Sequence, residues 1–124
     1  MKQAAGSYFD VQIYDDHVLK YPKKECVWAR LEWIAKTQTR LAETIPGIMS
    51  AICHGDHIEM RIPPGIHCRE IPKRRFRREI KPKVDEVVRQ VNEHGYELKD
   101  TGRCNVYYDH ASDQVWIIDY SHLT

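Results

Sequence analysis

The chain has 124 residues, which is the size of one ordinary domain and leaves no room for a second. Apolar residues make up 42% and charged residues 30%, a composition that excludes disordered and collagen-like chains. The 19 Lys and Arg residues against 18 Asp and Glu residues give a net charge of +1. This balance excludes nucleic-acid or membrane binding driven by overall charge, so any such role needs a local patch.

No stretch of the sequence is as long and apolar as a membrane span, which takes about 20 residues, and the first six residues contain no apolar signal core. The cysteines are far apart and form no C-x-x-C pair, a pattern typical of buried thiols in a reducing compartment. They are Cys26, Cys53, Cys68 and Cys104. We therefore expect a cytoplasmic protein with no membrane partner.

The first half of the chain predicts strands around one helix. Short apolar segments on either side of Asp15–His17 predict a β-hairpin. From Pro22 to Pro46, apolar residues recur at steps of three and four, which predicts an amphipathic helix with one buried stripe. The stripe consists of Val27, Leu31, Ile34, Gln38, Leu41 and Ile45. Two further strands are predicted at 48–53 and 58–62, around a polar turn.

The second half is predicted to be a hinge, a helix and another hairpin. The prolines and basic residues of 63–83 indicate a hinge between the segments 1–62 and 84–124 of the single domain 1–124. The next helix is predicted from apolar residues at helical spacing, which are Val84, Val87, Val88 and Val91. Two apolar segments around a polar turn then predict a hairpin, with Asn105 before it and Asp119 after it.

Two motifs flank this hairpin. The stretch Leu98-Lys99-Asp100-Thr101-Gly102-Arg103-Cys104-Asn105 has the Asp-to-Asn interval of the H-R-D-x-x-x-x-N catalytic loop. After the hairpin, Ile117-Ile118-Asp119-Tyr120-Ser121 looks like the D-F-G element. In order and spacing the sequence resembles the protein-kinase-like superfamily. The resemblance implies a minimal α+β kinase-like fold: a small antiparallel sheet with one packed helix, a hinge, a second helix and a catalytic-loop β-hairpin.

The resemblance also implies ATP and Mg²⁺ as cofactors, bound between the two halves. Asp119 and Asn105 would ligate the metal, and Asp100 would orient the acceptor hydroxyl or accept its proton. These side chains carry oxygen donors, which Mg²⁺ prefers. The alternative for Asp100 and Asn105 is an ordinary turn, because Asp and Asn are common in any loop. The hairpin between Asn105 and Asp119 is what favours the catalytic-loop interpretation.

The resemblance extends to the first hairpin and the first helix. Val18-Leu19-Lys20 resembles the V-A-I-K strand, so Lys20 would be the catalytic lysine that contacts the α- and β-phosphates. Glu32 lies at the border of the buried helix stripe and would hold Lys20 in place. The alternative for Glu32 is an exposed carboxylate paired with Lys36 one turn further along.

The remaining nucleotide contacts are expected from two loops. Gly6 and Ser7 begin the stretch G-S-Y-F-D-V, which looks like the second half of a glycine-rich phosphate loop. Ile62 lies in the stretch whose backbone is expected to contact adenine. The prolines that follow it, Pro63 and Pro64, have no amide hydrogen to donate, which limits that contact.

The sequence departs from the kinase pattern in the phosphate loop, where Ala4 and Phe9 take the places of two glycines, and at three further points. Leu98 and Lys99 replace the usual histidine and arginine, and the sequence ends five residues after Asp119. The resemblance thus implies only part of a kinase domain. We expect either a phosphotransferase that acts on a protein or small-molecule hydroxyl, or a non-catalytic kinase-like module that regulates a protein or nucleic-acid partner. A protein partner or a second copy of the chain would supply or replace the helical lobe, with Trp33 as a candidate contact.

Two other segments carry the residue types of a binding site. The segment 73–83 holds seven positive residues and one negative, enough to attract the phosphates of a nucleic acid, but a solvated helix face or linker is the favoured explanation. Cysteine and histidine residues at 53–57 and 67–68 contain the ligand types of a zinc site. Their spacing matches no familiar zinc finger, so turn histidines and buried thiols are favoured.

Overall fold

The computed structural model describes residues 1–5 and 8–124. Its strands are β1 (Lys2–Ala5), β2 (Phe9–Ile13), β3 (His17–Pro22), β4 (Ile52–Cys53), β5 (Ile58–Arg61), β6 (Ile66–His67), β7 (Val106–Asp109) and β8 (Gln114–Ile117). Its α-helices are α1 (Glu25–Trp28), α2 (Leu31–Ala42), α3 (Lys73–Arg75) and α4 (Lys81–Glu93). A π-helical turn (Phe76–Ile80) joins α3 to α4, and short 3₁₀ turns cover Cys68–Glu70 and Arg103–Asn105.

The first half forms a five-stranded antiparallel sheet in the order β1-β2-β3-β5-β4. The predicted hairpin is confirmed, because β2 pairs with β3 and the turn closes with a bond from the Tyr14 amide to the His17 carbonyl. The second predicted pair of strands is also confirmed as β4 and β5, although β4 is only two residues long.

The predicted helix between the strands is confirmed with shorter bounds. All six stripe residues are buried, each 3% exposed or less: Val27, Leu31, Ile34, Gln38, Leu41 and Ile45. Pro22 ends β3 instead of opening the helix, and the helix is interrupted where the Arg30 amide bonds back to the Val27 carbonyl. This tighter i to i−3 bond is typical of a helix end, so the stripe continues across two helices, α1 and α2.

The second half forms a three-stranded antiparallel sheet in the order β6-β7-β8, which includes the predicted hairpin. Its β8 strand contacts the first half through a parallel bridge between Ile48 and Ile117 and a bond from the Ile117 amide to the Gly47 carbonyl. Gly47 has a φ of +100°, and a Cβ there would lie 2.8 Å from the Val115 carbonyl oxygen. The close approach of the two halves therefore depends on glycine at this position.

The segment 63–83, predicted as a hinge, is helical from Lys73 onward, so the second helix begins eleven residues earlier than Val84. The buried stripe starts at Phe76 and Ile80 and continues through α4. Pro82 lies in the first turn of α4 and cannot donate to the helix ladder. The preceding turn widens instead, with the Lys81 amide bonded to the Phe76 carbonyl five residues back, which makes room for the proline ring.

The basic residues of this helix form a solvated face, as the favoured explanation predicted. Arg75 and Arg78 share Glu79, and Lys81 pairs with Asp85. Lys73, Arg74 and Arg77 are exposed, and within the described chain no ion pair is formed by any of the three. Binding of nucleic acid to this face stays a prediction.

The zinc site is not supported, because no group of three or more His, Cys, Asp or Glu side chains that could hold a metal ion is present among residues 1–5 and 8–124. The expectation of buried thiols holds for Cys68, which is fully buried and whose pKa burial raises to about 11. It does not hold for Cys104, which is exposed, or for Cys53, which is half-buried. Within the described chain, the helices are too short or too polar to cross a bilayer.

Tyr120 fastens the C-terminal segment to the first half. Its buried hydroxyl accepts a bond from the Met49 amide at 2.8 Å and donates one to the Ile117 carbonyl at 2.6 Å. We expect Tyr120→Phe to lower the free energy of unfolding by about 1–3 kcal/mol, because it leaves both backbone groups without their partner. Urea denaturation followed by circular dichroism measures this change, and an unchanged midpoint would show that neither bond contributes.

Candidate functional site

A cleft of about 580 Å³ lies between the five-stranded sheet and the β7–β8 hairpin. The first half lines it with Tyr8, Phe9, Val11, Ile13, Val18, Lys20, Met60, Arg61, Ile62 and Pro63. The second half lines it with His67, Arg69, Asp100, Cys104, Asn105, Tyr107, Ile118 and Asp119. The cleft therefore brings together Lys20, Asp100, Asn105 and Asp119, although Lys20 is far from the others in the sequence.

Lys20 is the buried cation of this cleft. Side chains alternate along β3, so Val18 and Lys20 share one face of the sheet, and both line the cleft. The Lys20 side chain is 9% exposed, and its Nζ donates to the Ile118 carbonyl oxygen at 2.5 Å and lies 5.6 Å from the centre of the Phe9 ring. Burial lowers the pKa of this amine, and the nearby Asp119 carboxylate opposes that shift.

Asp119 follows β8 and adjoins the residue that accepts the lysine bond. One of its carboxylate oxygens, Oδ1, accepts a hydrogen bond from the Ser121 amide at 2.9 Å. This bond fixes the side chain in a tight turn. Lys20 and Asp119 thus line the same cleft from opposite halves of the molecule, and the carboxylate raises the pKa of the amine.

Asp100 and Asn105 are held together by a side-chain bond. The Asn105 side-chain amide donates to the Asp100 carbonyl at 2.8 Å, and the Asn105 carbonyl accepts from the Ile118 amide at 3.0 Å. The loop is thereby tied to the end of β8. Asp100 has a φ of +61°, a left-handed conformation that Asp tolerates better than most residues. Its side chain is exposed at the edge of the cleft.

The donor set fits a hard divalent cation. The amide nitrogen of Asn105 is used by Asp100, which leaves its oxygen available, and Asp119 retains the oxygen that Ser121 does not use. An amide oxygen and a carboxylate oxygen are the ligands that Mg²⁺ takes in proteins, together with phosphate oxygens and water. Asn105 and Asp119 would therefore be the residues that hold Mg²⁺.

The prediction that Glu32 holds Lys20 is corrected by the structure. Glu32 is exposed and pairs with Lys36 at 2.8 Å, which was the alternative considered from the sequence. It also lines a different groove, formed by α2 and β4. A side chain at the border of a buried helix stripe can turn towards the sheet or towards the solvent. Here the ion pair with Lys36, one turn further along, keeps Glu32 in the solvent. The carboxylate that raises the pKa of Lys20 is that of Asp119.

We expect Glu32→Gln to leave nucleotide affinity unchanged within about twofold and to leave the melting temperature unchanged, because an exposed i, i+4 pair contributes little to stability. Calorimetric titration and thermal melting measure the two quantities. A tenfold loss of affinity would show that Glu32 turns inward to Lys20 when ligand is bound.

Of the other predicted nucleotide contacts, the structure describes Ile62 but not Gly6 and Ser7. Gly6 and Ser7 lie outside the described residues, but Tyr8 and Phe9, which follow them, line the cleft. Ile62 lines the cleft, but its amide donates to the Asp16 carbonyl at 3.0 Å, and its contact with adenine stays a prediction.

Three further residues of the cleft were not found from the sequence: His67, Arg69 and Tyr107. The His67 and Tyr107 rings stack with their centres 5.0 Å apart, and the His67 Nε2 lies 2.7 Å from the Cys104 carbonyl oxygen. No motif marks these residues. They enter the cleft because β6 pairs with β7, a pairing of distant segments that the sequence pattern does not encode.

The sequence matches no family model and no curated protein. Solved structures do match. The crystal structure of WbdD matches the whole chain with a TM-score of 0.63 at 14% identity. A co-crystal structure of WbdD with the kinase inhibitor LY294002 matches 97% of the chain with a TM-score of 0.58 at 15% identity.

The chain spans about a third of WbdD: 33% of the WbdD chain in the first structure and 32% in the second. At this level of identity the likeness is one of fold. It includes both sheets, because the first match covers this chain completely. The chain therefore has the fold that the resemblance implied, a kinase-like one, while the roles of the catalytic-loop and D-F-G residues stay predictions.

Proposed function

We propose that the cleft binds Mg²⁺ and a nucleoside triphosphate, and that the chain transfers the terminal phosphoryl group to a hydroxyl acceptor. The observation that carries this proposal is the position of Lys20 and Asp119 in one cleft, contributed by opposite halves of the molecule. A buried amine is costly unless it meets negative charge. A bound triphosphate would supply that charge.

In this proposal Lys20 binds the phosphates as a fixed positive charge, and its bond to Ile118 sets the direction of the amine. Asn105 and Asp119 hold Mg²⁺, which when bound neutralises charge on the phosphate oxygens. The bond from the Asn105 side chain to the Asp100 backbone carbonyl ties the metal ligand to the residue that would bind the acceptor. Positioning of this kind is the main contribution a protein makes to phosphoryl transfer.

Asp100 would act on the acceptor. Its carboxylate lies at the exposed edge of the cleft, where a hydroxyl compound can approach. The hydroxyl oxygen forms a bond to the terminal phosphorus while the bond from that phosphorus to the bridging oxygen breaks, and the nucleoside diphosphate leaves. The hydroxyl proton passes to the Asp100 carboxylate.

A non-catalytic kinase-like module is the second candidate. It is favoured by the absence, within the described chain, of a helix carboxylate next to Lys20, since the Lys–Glu ion pair is one of the parts that protein kinases need in place. Such a module would bind nucleotide as a structural ligand and act through a protein or nucleic-acid partner. Trp28 and Trp33 are 55% and 41% exposed. A protein partner of the module, or a second copy of the chain, could cover these two side chains.

Two measurements test the proposal. Thermal melting with Mg-ATP at 100 times its dissociation constant should stabilise the protein by about 2.7 kcal/mol, and the stabilisation should need Mg²⁺. Incubation with radiolabelled ATP and candidate protein or small-molecule acceptors then separates the two functions. Transfer of label supports the phosphotransferase, stabilisation without transfer supports the module, and the absence of any stabilisation contradicts both.

A further inference from the structure

Arg61 and Arg69 line the cleft but have no role in the proposed function. Both are exposed, and within residues 1–5 and 8–124 neither forms an ion pair with an acidic side chain. The pKa of Asp16 is lowered mainly by its hydrogen bond with His17 and further by the charge of Arg61. A carboxylate is therefore already close to Arg61, and Arg69 is the better placed of the two to bind a ligand.

Arg69 is held beside the loop that carries Asp100. It lies in the 3₁₀ turn that follows β6. The Arg103 Nη1 donates to the Arg69 carbonyl at 3.2 Å and to the Ile71 carbonyl at 2.7 Å. His67, just before the turn, donates to a carbonyl of the same loop at 2.7 Å. Both ends of the turn are thus fastened to the loop 100–105, which fixes the backbone of Arg69 relative to it.

The charge of Arg69 acts on a side chain of the cleft lining, Tyr107. Burial raises the pKa of the Tyr107 hydroxyl, Glu70 adds to that rise, and the Arg69 guanidinium opposes it. The Tyr107 ring stacks on His67, and both rings line the cleft together with Arg69. We call these three residues the β6–β7 wall. A guanidinium beside a phenol and an imidazole supplies the N–H and O–H donors that an anion needs.

The cleft has a buried end and an exposed end. Lys20 is 9% exposed, whereas Asp100 and Arg69 are both exposed at the edge. A triphosphate bound to the Lys20 amine would therefore leave Arg69 on the side where the acceptor approaches Asp100. The Asp100 carboxylate repels an anionic acceptor unless a cation lies next to it, and Arg69 supplies that cation. A neutral acceptor would gain nothing from this charge.

We propose that the acceptor is a small hydroxyl compound that carries a phosphate or carboxylate group, and that Arg69 binds this anionic group while the hydroxyl lies at Asp100. This inference rests on the proposed function and narrows its acceptor class. The N–H groups of arginine form a planar fork that binds either anion through two parallel hydrogen bonds. The other two side chains of the β6–β7 wall flank that fork.

Glycerol 3-phosphate, glycerate and glycerol test the inference, because they share adjacent hydroxyl groups and differ in charge. Calorimetric titration into the protein with Mg²⁺ and a non-hydrolysable ATP analogue, at low ionic strength, measures their affinities. We expect one or both anions to bind at least about tenfold more tightly than glycerol. Binding of glycerol 3-phosphate alone assigns the site to a phosphate, and binding of glycerate alone assigns it to a carboxylate. Equal binding of glycerol, or no binding of either anion, overturns the inference.

The bound anion should also accept label from ATP, whereas glycerol should not. Arg69→Gln should weaken binding of the tighter anion by at least about tenfold and leave the affinity for Mg-ATP unchanged within about twofold. Arg61→Gln is the matched control within the cleft, and Arg77→Gln is the control at an exposed position outside the cleft lining. Both control variants should bind the anion as the wild type does.

Three results would overturn the inference while the proposed function stands. The first is an anion that binds but accepts no label while another hydroxyl compound does. The second is an Arg69→Gln variant that loses affinity for Mg-ATP instead of the anion. The third is an equal loss of anion binding in Arg61→Gln and Arg69→Gln. If Mg-ATP does not stabilise the wild-type protein, the proposed function fails and the inference fails with it.

Discussion

Asp119→Asn is expected to lower the rate of phosphoryl transfer by about 100- to 1,000-fold, the loss typical of removing one group that stabilises charge in the transition state. The substitution keeps the size of the side chain and can keep the bond from the Ser121 amide, so the turn after β8 is retained. It removes the negative charge that would hold Mg²⁺ and that opposes the lowered pKa of Lys20. The measurement is label transfer from ATP at saturating Mg²⁺.

Asp85→Asn is the matched control, because it removes the same charge from an exposed position on α4 that pairs with Lys81. Its transfer rate should equal that of the wild type. If Asp119→Asn binds Mg²⁺ and transfers phosphate at the wild-type rate, Asp119 is not a metal ligand and the proposed arrangement of the cleft is wrong.

Lys20→Met is expected to weaken binding of Mg-ATP by about 10- to 100-fold, since a hydrogen bond to a charged group contributes about 1.5–3 kcal/mol. Methionine has a similar length and no charge, so the packing against Phe9 can be kept. Titration calorimetry measures the affinity, with Lys36→Met as the matched control because Lys36 pairs with Glu32 and lines a different groove. Equal affinities for wild type and Lys20→Met would contradict the assigned role.

The buried amine also predicts a pH dependence for the protein without ligand. Burial lowers the pKa of Lys20 from its usual value of 10.5. Between the folded-state pKa and 10.5, the unfolded chain holds the proton more tightly than the folded one, so the free energy of unfolding rises with pH in this window. Urea denaturation at several pH values should show this rise in the wild type relative to Lys20→Met. A constant difference between the two proteins would show that the amine is not buried.

Much of the fold followed from local patterns. The stripe from Val27 to Ile45 is buried throughout, and both predicted hairpins formed with their polar turns. Such patterns are reliable because a helix or strand must bury its apolar side wherever it packs. The interval from Asp100 to Asn105 and the position of Asp119 after a strand were equally local, and all three residues line the cleft.

The sequence predictions that were wrong concern residues whose local pattern is compatible with two different structures. Pro72 and Pro82 favoured a hinge, but a proline is also accepted in the first turn of a helix, and the widened turn before Pro82 allowed one helix to run through the basic segment. Glu32 could face the sheet or the solvent, and Lys36 on the same helix face determined which. In both cases the deciding contact was with a neighbouring turn, which residue type alone did not specify.

By itself, the sequence determined which residues form the buried stripes, where the turns lie and which side chains carry charge and oxygen donors near the ends of strands. Only the tertiary structure decided that the Lys20 amine and Asp119 share a cleft, and that the Ile62 amide is already used by Asp16. The physical reason is distance along the chain. Periodicity and turn chemistry act over a few residues, whereas the bond from Lys20 to Ile118 joins residues 98 positions apart, and forms only when the two halves pack.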